Sequence, residues 1–486
     1  GATVIACAMA LGYGAAKNMR SEASHLRGKI YPMTTLLRSR AGLNDLLLPC
    51  GGDQVCIDPA LPKILQVASA HSPDGDRYVI SSLERYVDIL RAQREQFEGW
   101  EGELKSPRYT RIHKTIGSVR YDIKQKNDEV ERFILRQLEP TIAMARHQGI
   151  PVNLSVVDTL WKKLLRSHAH DSIGGCNSDT TNRDILHRLE QTEQLCHSLW
   201  NLVVKTLAAA CAQENDLLIF NPLATPTQRV VITTLYSRAD NIALTHQGQP
   251  IPFDVLERDI LPGGTAISLT AEGECETPLP PYYRWHVAVK TPVLPPIGYL
   301  TVNVDEDPAP FLASEKIKGS EIENAHYRLS LDAGTLTLHD KRSGRRIPSF
   351  FTFEDCADAG DSYDFSPLAG DTPTRCDQFT LVDCLKTPLV EKLIVEATLL
   401  LPPDLADRQE NARTPSSLRL ACELRDDDPN LYVDSSLENS HCDHRLRLLI
   451  GSDVHTRHAI ASQPFAIIQR ETGYDGEHWQ ERYREK

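Results

Sequence analysis

The chain has 486 residues, of which 41% are hydrophobic and 24% are charged, and its formal net charge is -13. This length predicts about two to four domains, and the composition is that of an ordinary globular protein. The negative charge disfavours non-specific binding to nucleic acid or to an anionic membrane surface. No apolar run approaches the roughly 20 residues of a membrane-spanning helix. We therefore expect neither a nucleic acid nor a membrane as partner.

Twelve cysteines are spread along the chain without a Cys-x-x-Cys pair. In a chain of this size they indicate reduced thiols, many of them buried as small apolar groups, and we expect a cytoplasmic protein. A strand-like run begins at Thr3, with only two residues before it. At the other end, residues 478–486 resemble a segment from the middle of a domain. We therefore also expect a fragment of a longer protein that lacks its N-terminal part.

Residues 1–92 alternate short apolar runs with helical stretches. Thr3–Met9 and Asp45–Pro49 predict buried strands of a parallel sheet, because their apolar residues run on rather than alternate. A Gly-Tyr-Gly turn follows the first run, and Gly51-Gly52-Asp53 follows the second. Functional groups of such sheets lie at the carboxyl ends of strands, where Asp53 falls. We predict this region to be the C-terminal part of an α/β domain.

Residues 93–213 predict a three-helix bundle, since apolar residues recur at steps of three and four on three successive helices. The first helix is predicted to end at Pro140. Ser155 is predicted to begin the second helix with a capping box. The third is predicted to start near Ser178 and to carry a stripe that passes through Thr206 and reaches Ala210.

Residues 214–486 predict an antiparallel β-sandwich region that is incomplete at its C-terminus. Proline-rich turns separate alternating β-branched runs, which is typical of such domains. Examples of predicted strands are Arg229–Thr234, Trp285–Val289, Tyr299–Val304, Tyr327–Leu331 and Leu393–Leu401. The fold class is therefore multidomain α+β, with an α/β remainder, a helix bundle and β-sandwich domains in that order.

The sequence Ser-His-Ala-His-Asp-Ser-Ile-Gly-Gly-Cys at residues 167–176 places two imidazoles and a carboxylate at the end of an amphipathic helix. Such groups bind metals and transfer protons. By spacing alone, His168 is best interpreted as a packed core residue, and Asp171 as an exposed carboxylate or helix cap. His170 lies where the helix must end and can point a ring nitrogen into a cleft. Asp53 is by spacing one of 66 acidic residues, and such positions are often simple turns.

Several motifs, in register along nearly the whole chain, resemble the α-mannosidases of glycoside hydrolase family 38. Residues 47–54 resemble the strand-end motif that carries the family's general acid/base, and residues 168–176 resemble its metal-ligand motif. Weaker resemblances, including that of the Gly-Tyr-Gly turn to the bacterial branch, are carried by Gly12–Gly14, Phe220–Pro222, Asn324–Tyr327, Gly360–Tyr363 and His444–Arg447.

The resemblance implies a retaining, metal-dependent hydrolase of terminal α-mannosides. It implies that residues 1–92 belong to the catalytic domain, and that Asp53 is the general acid/base. It further implies that His170 binds a divalent metal, most often zinc, and that Asp171 hydrogen-bonds sugar hydroxyls. Tyr363 would reach the substrate cleft from the β-region.

The family's His-x-Asp motif and its nucleophilic aspartate, which supply further metal ligands, have no counterpart in this chain. Because catalytic zinc sites use three or more protein ligands, and only His170 matches one, we expect this chain alone to be inactive and largely metal-free. The bacterial branch implies a small anionic mannoside such as 2-O-α-mannosyl-D-glycerate as substrate. Its anionic leaving group would need a cationic side chain to bind it. The candidates are Lys17, Arg20 and Arg120, and the sequence does not distinguish among them.

Two other classes stay open at this point. The main alternative is a non-catalytic carbohydrate-binding or scaffold protein on a mannosidase-like frame. A metal-dependent phosphohydrolase is disfavoured by the long β-region and by the lack of a second His-Asp pair. Arg445 and Arg447 are interpreted as structural ion-pair partners, and exposed heptad and sheet-edge surfaces suit a homodimer.

Overall fold

The computed structural model describes residues 4–7, 9, 11–41, 43–99, 113, 115–213, 216–306, 319–410, 412–463 and 466–472. The chain divides into two compact units, which are Gly1–Ile112 with Thr456–Tyr483, and His113–His455 with Arg484–Lys486. Helices and antiparallel sheets together confirm the multidomain α+β class. Thr3, Ala8 and residues 478–486, on which sequence predictions partly rest, lie outside the described residues.

The first unit is mainly helical in its described part. Its α-helices are α1 (Ala23–His25), α2 (Tyr31–Ala41), α3 (Leu61–Ala70) and α4 (Leu83–Ala92). A π-helical turn, Leu26–Ile30, joins α1 to α2, and a 3-10 turn, Arg94–Gln96, follows α4. An antiparallel hairpin of His458–Gln463 and Ala466–Glu471 belongs to the same unit. The core of this unit consists of Ala16, Met19, Leu26, Ile30, Tyr31, Ile64 and Ala68.

The two strands predicted for this unit do not form in its described part. Residues 4–7 and 45–49 have no strand conformation, and Val4 is 82% exposed rather than buried. A strand is stabilised by ladder hydrogen bonds to a neighbour, and neither described segment has such a neighbour. Residue 49 instead bonds the preceding turn, because Ala16 N donates to Pro49 O at 2.9 Å.

The second unit begins with the helix bundle. Its α-helices are α5 (Tyr121–Phe133), α6 (Glu139–His147), α7 (Leu154–Ser167), α8 (His170–Gly174) and α9 (Asp179–Cys211). A 3-10 turn, Thr115–Gly117, precedes α5, and a π-helical turn, Ile134–Leu138, joins α5 to α6. The buried faces share one core, which includes Ile123, Ile134, Leu138, Leu160, Leu164, Ile185 and Leu189.

Three local predictions for the bundle were wrong. The first helix does not end at Pro140. In the π-helical turn before it, Glu139 N donates to Ile134 O, and the chain continues as a helix through Pro140 although proline has no N–H to donate. The cap of α7 is Asn153, whose Oδ1 accepts from the backbone N–H of Ser155 at 3.0 Å. The buried stripe of α9 ends on Leu207 rather than passing through Thr206 to Ala210, both of which are exposed, since a straight helix drifts from a strict heptad. Ser178 caps α9 as predicted.

The β-region begins with sheets of order β1-β9-β3-β4 and β2-β8-β5 and a separate hairpin β6-β7. These strands are β1 (Leu217–Asn221), β2 (Val230–Ser237), β3 (Ala243–His246), β4 (Gln249–Pro250), β5 (Phe253–Leu261), β6 (Thr265–Thr270), β7 (Gly273–Pro278), β8 (Tyr282–Lys290) and β9 (Gly298–Asp305). Trp285, Val287 and Val302 lie in the core that the two sheets share.

The remaining sheets of this unit have the orders β10-β11-β12-β13, β15-β14-β20 and β16-β17-β18-β19. Their strands are β10 (Glu321–Glu323), β11 (Tyr327–Asp332), β12 (Thr335–Asp340), β13 (Arg345–Ile347), β14 (Phe351–Ala357), β15 (Thr374–Cys376), β16 (Thr380–Lys386), β17 (Val390–Leu401), β18 (Thr414–Arg425), β19 (Leu431–Leu437) and β20 (His444–Ile450). A short helix, α10 (Leu405–Gln409), connects β17 to β18. The three sheets enclose one apolar core.

Candidate functional site

The histidine-aspartate motif forms the short helix α8 and the turn after it. Gly175 takes a left-handed conformation at φ 78°, and its N–H bonds Asp171 O at 3.1 Å, which reverses the chain. The reversal brings Cys176 back to Asp171, and the distance from Cys176 Sγ to Asp171 Oδ1 is 3.4 Å. His170 Nε2 lies 3.3 Å from the same carboxylate oxygen. The motif therefore presents an imidazole, a carboxylate and a thiol along one turn.

The loop between β14 and β15 brings Tyr363 to this turn. A hydrogen bond with the thiol of Cys176, together with the nearby charge of Asp171, raises the pKa of the Tyr363 phenol. The Tyr363 ring packs on His113 with a centroid distance of 5.0 Å, and His113 Nδ1 lies 3.2 Å from Asp364 Oδ1. The structure therefore gathers two of the predicted site residues, Asp171 and Tyr363, with a histidine and a cysteine.

Turn hydrogen bonds and contacts with the bundle hold the Tyr363 loop in place. Asp361 Oδ1 accepts from the backbone N–H of Tyr363 at 2.9 Å and from that of Asp364 at 3.0 Å. Phe365 N donates to Thr115 Oγ1 at 2.5 Å, which joins the loop to the start of the bundle. The guanidinium of Arg445 lies 4.7 Å from the centroid of the Phe365 ring.

A buried arginine fixes the base of the same loop. Arg408 on α10 pairs with Asp355 at the end of β14, and also with Asp371, at 3.1 Å, just before β15. Asp371 Oδ2 additionally accepts from the backbone N–H of Ala357 at 2.8 Å. The two ends of the Tyr363 loop are therefore joined through one guanidinium.

Asp53 lies in the first unit, on a turn that glycine makes possible. Gly52 has φ 152°, a conformation that residues with a side chain rarely adopt, and Gln54 is left-handed at φ 57°. The hydroxyl of Tyr13 donates to Asp53 Oδ2 at 2.7 Å. The Asp53 carboxylate is exposed and is held by the Gly-Tyr-Gly turn.

The donors near His170 do not complete a metal site. The His170 side chain is 96% exposed, and its carboxylate neighbour is Asp171. In the part of the chain that the structure describes, no three His, Cys, Asp or Glu side chains converge closely enough to hold a metal ion. Because catalytic zinc takes three protein ligands, the described donor set does not by itself fit a catalytic zinc site.

The other singled-out residues have structural partners. His168 Nε2 lies 2.8 Å from Asn127 Oδ1 inside the bundle, as expected for a packed histidine. Arg447 pairs with buried Glu354, as predicted, whereas Arg445 stacks on an aromatic ring. The sequence reasoning gave no role to His113, which carries no local motif and whose contacts with the Tyr363 loop arise only from the tertiary fold.

Two family models match this chain. The glycosyl hydrolases family 38 C-terminal domain matches residues 322–485, and the alpha mannosidase middle domain matches residues 111–207. A protein of Halalkalibacterium halodurans named "Putative mannosylglycerate hydrolase" is 22% identical over 88% of this chain and 53% of its own length. The chain thus spans about half the length of this curated relative.

Two solved structures from Enterococcus faecalis have the same fold. An alpha-mannosidase is 20% identical with a TM-score of 0.78, covering 95% of this chain and 57% of its own. A protein of glycosyl hydrolase family 38 is 19% identical with a TM-score of 0.71, covering 93% of this chain and 57% of its own. None of the helices in the described part of the chain combines the length and apolar character that a bilayer crossing requires.

Proposed function

Because the chain belongs to glycoside hydrolase family 38, we propose that the whole protein is a retaining, metal-dependent α-mannosidase. The observation that carries the proposal is the meeting of Asp171, Cys176 and Tyr363, from two parts of the chain that are distant in sequence. Polar groups that converge in this way on an exposed turn suit the binding of sugar hydroxyls. The proposed substrate is a terminal α-mannoside, with 2-O-α-mannosyl-D-glycerate as the specific candidate.

Asp53 is the proposed general acid/base. In the first step the protonated carboxyl gives its proton to the glycosidic oxygen as the bond from that oxygen to the anomeric carbon breaks, while a second carboxylate forms the glycosyl-enzyme. In the second step the Asp53 carboxylate takes a proton from the water that attacks the anomeric carbon, as the bond from that carbon to the second carboxylate breaks. The Tyr13 hydroxyl, 2.7 Å away, suits this cycle because it donates to the carboxylate that exists between the two steps.

Asp171 and Tyr363 are the proposed sugar-binding residues. A carboxylate accepts hydrogen bonds from sugar hydroxyls, and the phenol can both donate and accept. The thiol of Cys176 lies against both side chains, which supports a shared orientation before substrate arrives. The phenol of an ordinary tyrosine is already protonated at neutral pH, and the raised pKa of Tyr363 extends to higher pH the range in which it can donate.

We propose that the whole protein holds a divalent metal, most often zinc in this family, with His170 as one ligand. When bound, such an ion supplies positive charge that polarises substrate oxygens. The exposed imidazole of His170 is accessible for ligation. Metal content measured on this chain and on the uninterrupted gene product tests the assignment, since the donor set described here predicts retention only by the latter.

The test of the function is hydrolysis of an aryl α-mannoside, with and without a chelator, by the uninterrupted gene product. The proposal predicts chelator-sensitive turnover and a first product with the α configuration in the NMR spectrum. A β product would contradict the retaining mechanism, and chelator-insensitive turnover would contradict the metal.

A carbohydrate-binding or scaffold protein is the second candidate, because the described residues include polar groups that suit sugar binding, at Asp171 and Tyr363, but no complete metal site. Binding of mannosides without any turnover by the uninterrupted gene product would favour this candidate. We also propose a cytoplasmic location and a homodimer, which cell fractionation and light scattering test.

A further inference from the structure

We propose that Lys17 binds the carboxylate that the leaving group of the proposed substrate carries beside the glycosidic oxygen. The inference rests on the proposed function, since it takes Asp53 as the acid that protonates the leaving oxygen. Of the three cations that the sequence alone leaves equivalent, it selects Lys17, whose side chain lies along the turn that carries Asp53.

The stem of Lys17 lies along the turn that carries Asp53. A β-carbon built on Gly14 would lie 3.3 Å from Lys17 Cδ, and one built on Gly52 would lie 3.6 Å from the same atom. The Gly14 position is closed on its other side as well, because the added carbon would lie 3.0 Å from Gly51 O. The two glycines therefore form a groove in which the lysine methylenes run beside Asp53.

Backbone hydrogen bonds fix the start of this side chain. Lys17 N donates to Gly14 O at 3.1 Å, and Ala16 N donates to Pro49 O at 2.9 Å. The thiol of Cys50 donates to Ala16 O at 3.3 Å. Because Ala16, the residue before the lysine, is bonded to Pro49 and Cys50, the backbone of Lys17 lies beside the segment that leads to Asp53.

The ammonium group is available for a ligand. Among the described residues, neither a carboxylate nor another acceptor pairs with Lys17 Nζ, and Asp53 takes its hydrogen bond from Tyr13 instead. A direct ion pair would hold Asp53 ionised and oppose its work as an acid. A nearby lysine without such an ion pair leaves room for an anionic ligand.

The surrounding charge also favours an anion. Residues 17–29 contain four lysines and arginines and one acidic residue, a balance of 4 − 1 = +3 in a chain whose net charge is -13. Lys29 Nζ donates to Lys17 O at 3.3 Å, which adds a second cation to this part of the unit. A local field of this sign raises the concentration of anionic ligands at the site.

The position beside Asp53 selects the part of the substrate that Lys17 can reach. A general acid contacts the glycosidic oxygen, so a neighbouring cation meets atoms a few bonds away on the leaving group. In a 2-hydroxy acid the carboxylate carbon is bonded to the carbon that bears this oxygen. Arg120 does not suit this role, because its guanidinium pairs with Asp122 at 3.1 Å and with Asp179 at 3.4 Å.

The test uses Lys17→Met in the uninterrupted gene product with three substrates. These are 2-O-α-mannosyl-D-glycerate, its methyl ester and a neutral aryl α-mannoside. We expect kcat/KM for the carboxylate to fall about 10- to 100-fold, mainly through KM, because a charge-assisted hydrogen bond is lost. The ester and the aryl mannoside should change less than about twofold, since neither carries the charge that Lys17 recognises. Lys63→Met, at an exposed position of α3, is the matched control and should leave all three rates unchanged.

Equal losses on all three substrates would assign Lys17 to the support of the turn and overturn the proposal, as would the absence of any loss. Failure of the unaltered protein to hydrolyse any mannoside would instead contradict the proposed function. Calorimetric titration with D-glycerate then tests Lys17 separately. The unaltered protein should bind D-glycerate, the lysine variant should bind it at least about tenfold more weakly, and equal affinity would overturn the inference.

Discussion

Replacing Arg408 with methionine should loosen the loop that carries Tyr363. The Arg408 side chain is 3% exposed, and its two partners, Asp355 and Asp371, are 2% and 10% exposed. The substitution keeps the volume of the side chain roughly constant but leaves two buried carboxylates without their shared cation. Removing one partner of a buried ion pair costs about 3–5 kcal/mol. The cost falls on both ends of the loop at once.

Hydrogen exchange followed by mass spectrometry measures this loss where it occurs. For exchange through local opening, about 3–5 kcal/mol corresponds to a rise of roughly 150- to 5,000-fold in rate. We expect that rise in peptides that cover residues 351–376, with little change in α9 of the bundle. A whole-chain unfolding midpoint is less suitable, because a chain of several domains does not unfold in two states.

Arg413→Met is the matched control, since Arg413 is exposed and its guanidinium donates to the neighbouring carbonyl of Ala412 at 3.0 Å. Arg408→Lys should give a smaller loss, because one ammonium group cannot bridge both carboxylates as a guanidinium does. Unchanged exchange over residues 351–376 in Arg408→Met would refute the role of this ion pair in holding the loop.

Two further predictions concern ionisable groups. Cys176→Ala should lower the pKa of Tyr363 toward that of an ordinary tyrosine, because the thiol hydrogen bond is the largest cause of its raised pKa. An ultraviolet titration, with Tyr363→Phe as the reference, measures the pKa of this phenol. An unchanged pKa in the cysteine variant would contradict the contact between the two side chains. Pairing with Arg375 and Arg447 lowers the pKa of Glu354 from its ordinary 4.5. The ionised Glu354 therefore stabilises the folded β-region above about pH 4.5, and this contribution is lost as the pH falls through the lowered pKa. The Glu354→Gln variant should therefore lose less stability than the unaltered chain between about pH 5 and pH 2 in chemical unfolding of the β-region, and parallel curves would contradict this account.

The sequence predicted the β-region well because alternation reports directly on a half-buried strand. Trp285–Val289 lies inside the observed strand β8, and Leu393–Leu401 lies inside β17. Residues 45–49 lack this alternation, and the buried strand that their continuous apolar run predicts does not form: Asp45 is exposed and residues 46–49 are half-buried. A continuous run gives no period to report a strand, and strand formation also needs a hydrogen-bonding neighbour.

The candidate site could be predicted only in part, since its contacts join residues that are far apart in the chain. The approach of Asp171 and Cys176 follows from the local turn at Gly175, which the glycine pair indicates. The contact of His113 with Asp364 spans 251 residues and follows from the docking of the loop between β14 and β15 on the bundle. Helix periodicity also could not foresee the π-helical turn before Pro140, because proline in a helical pattern ordinarily indicates an end.

The most direct test of the central claim is the dependence of rate on the leaving group in Asp53→Ala of the uninterrupted gene product. If Asp53 is the general acid/base, the variant should lose most activity on mannosides whose leaving group needs protonation, and retain formation of the glycosyl-enzyme from a dinitrophenyl mannoside. Added azide should then speed turnover of that activated substrate, because it attacks the intermediate without needing a base. Equal losses on both substrates, or no loss on either, would contradict the assignment.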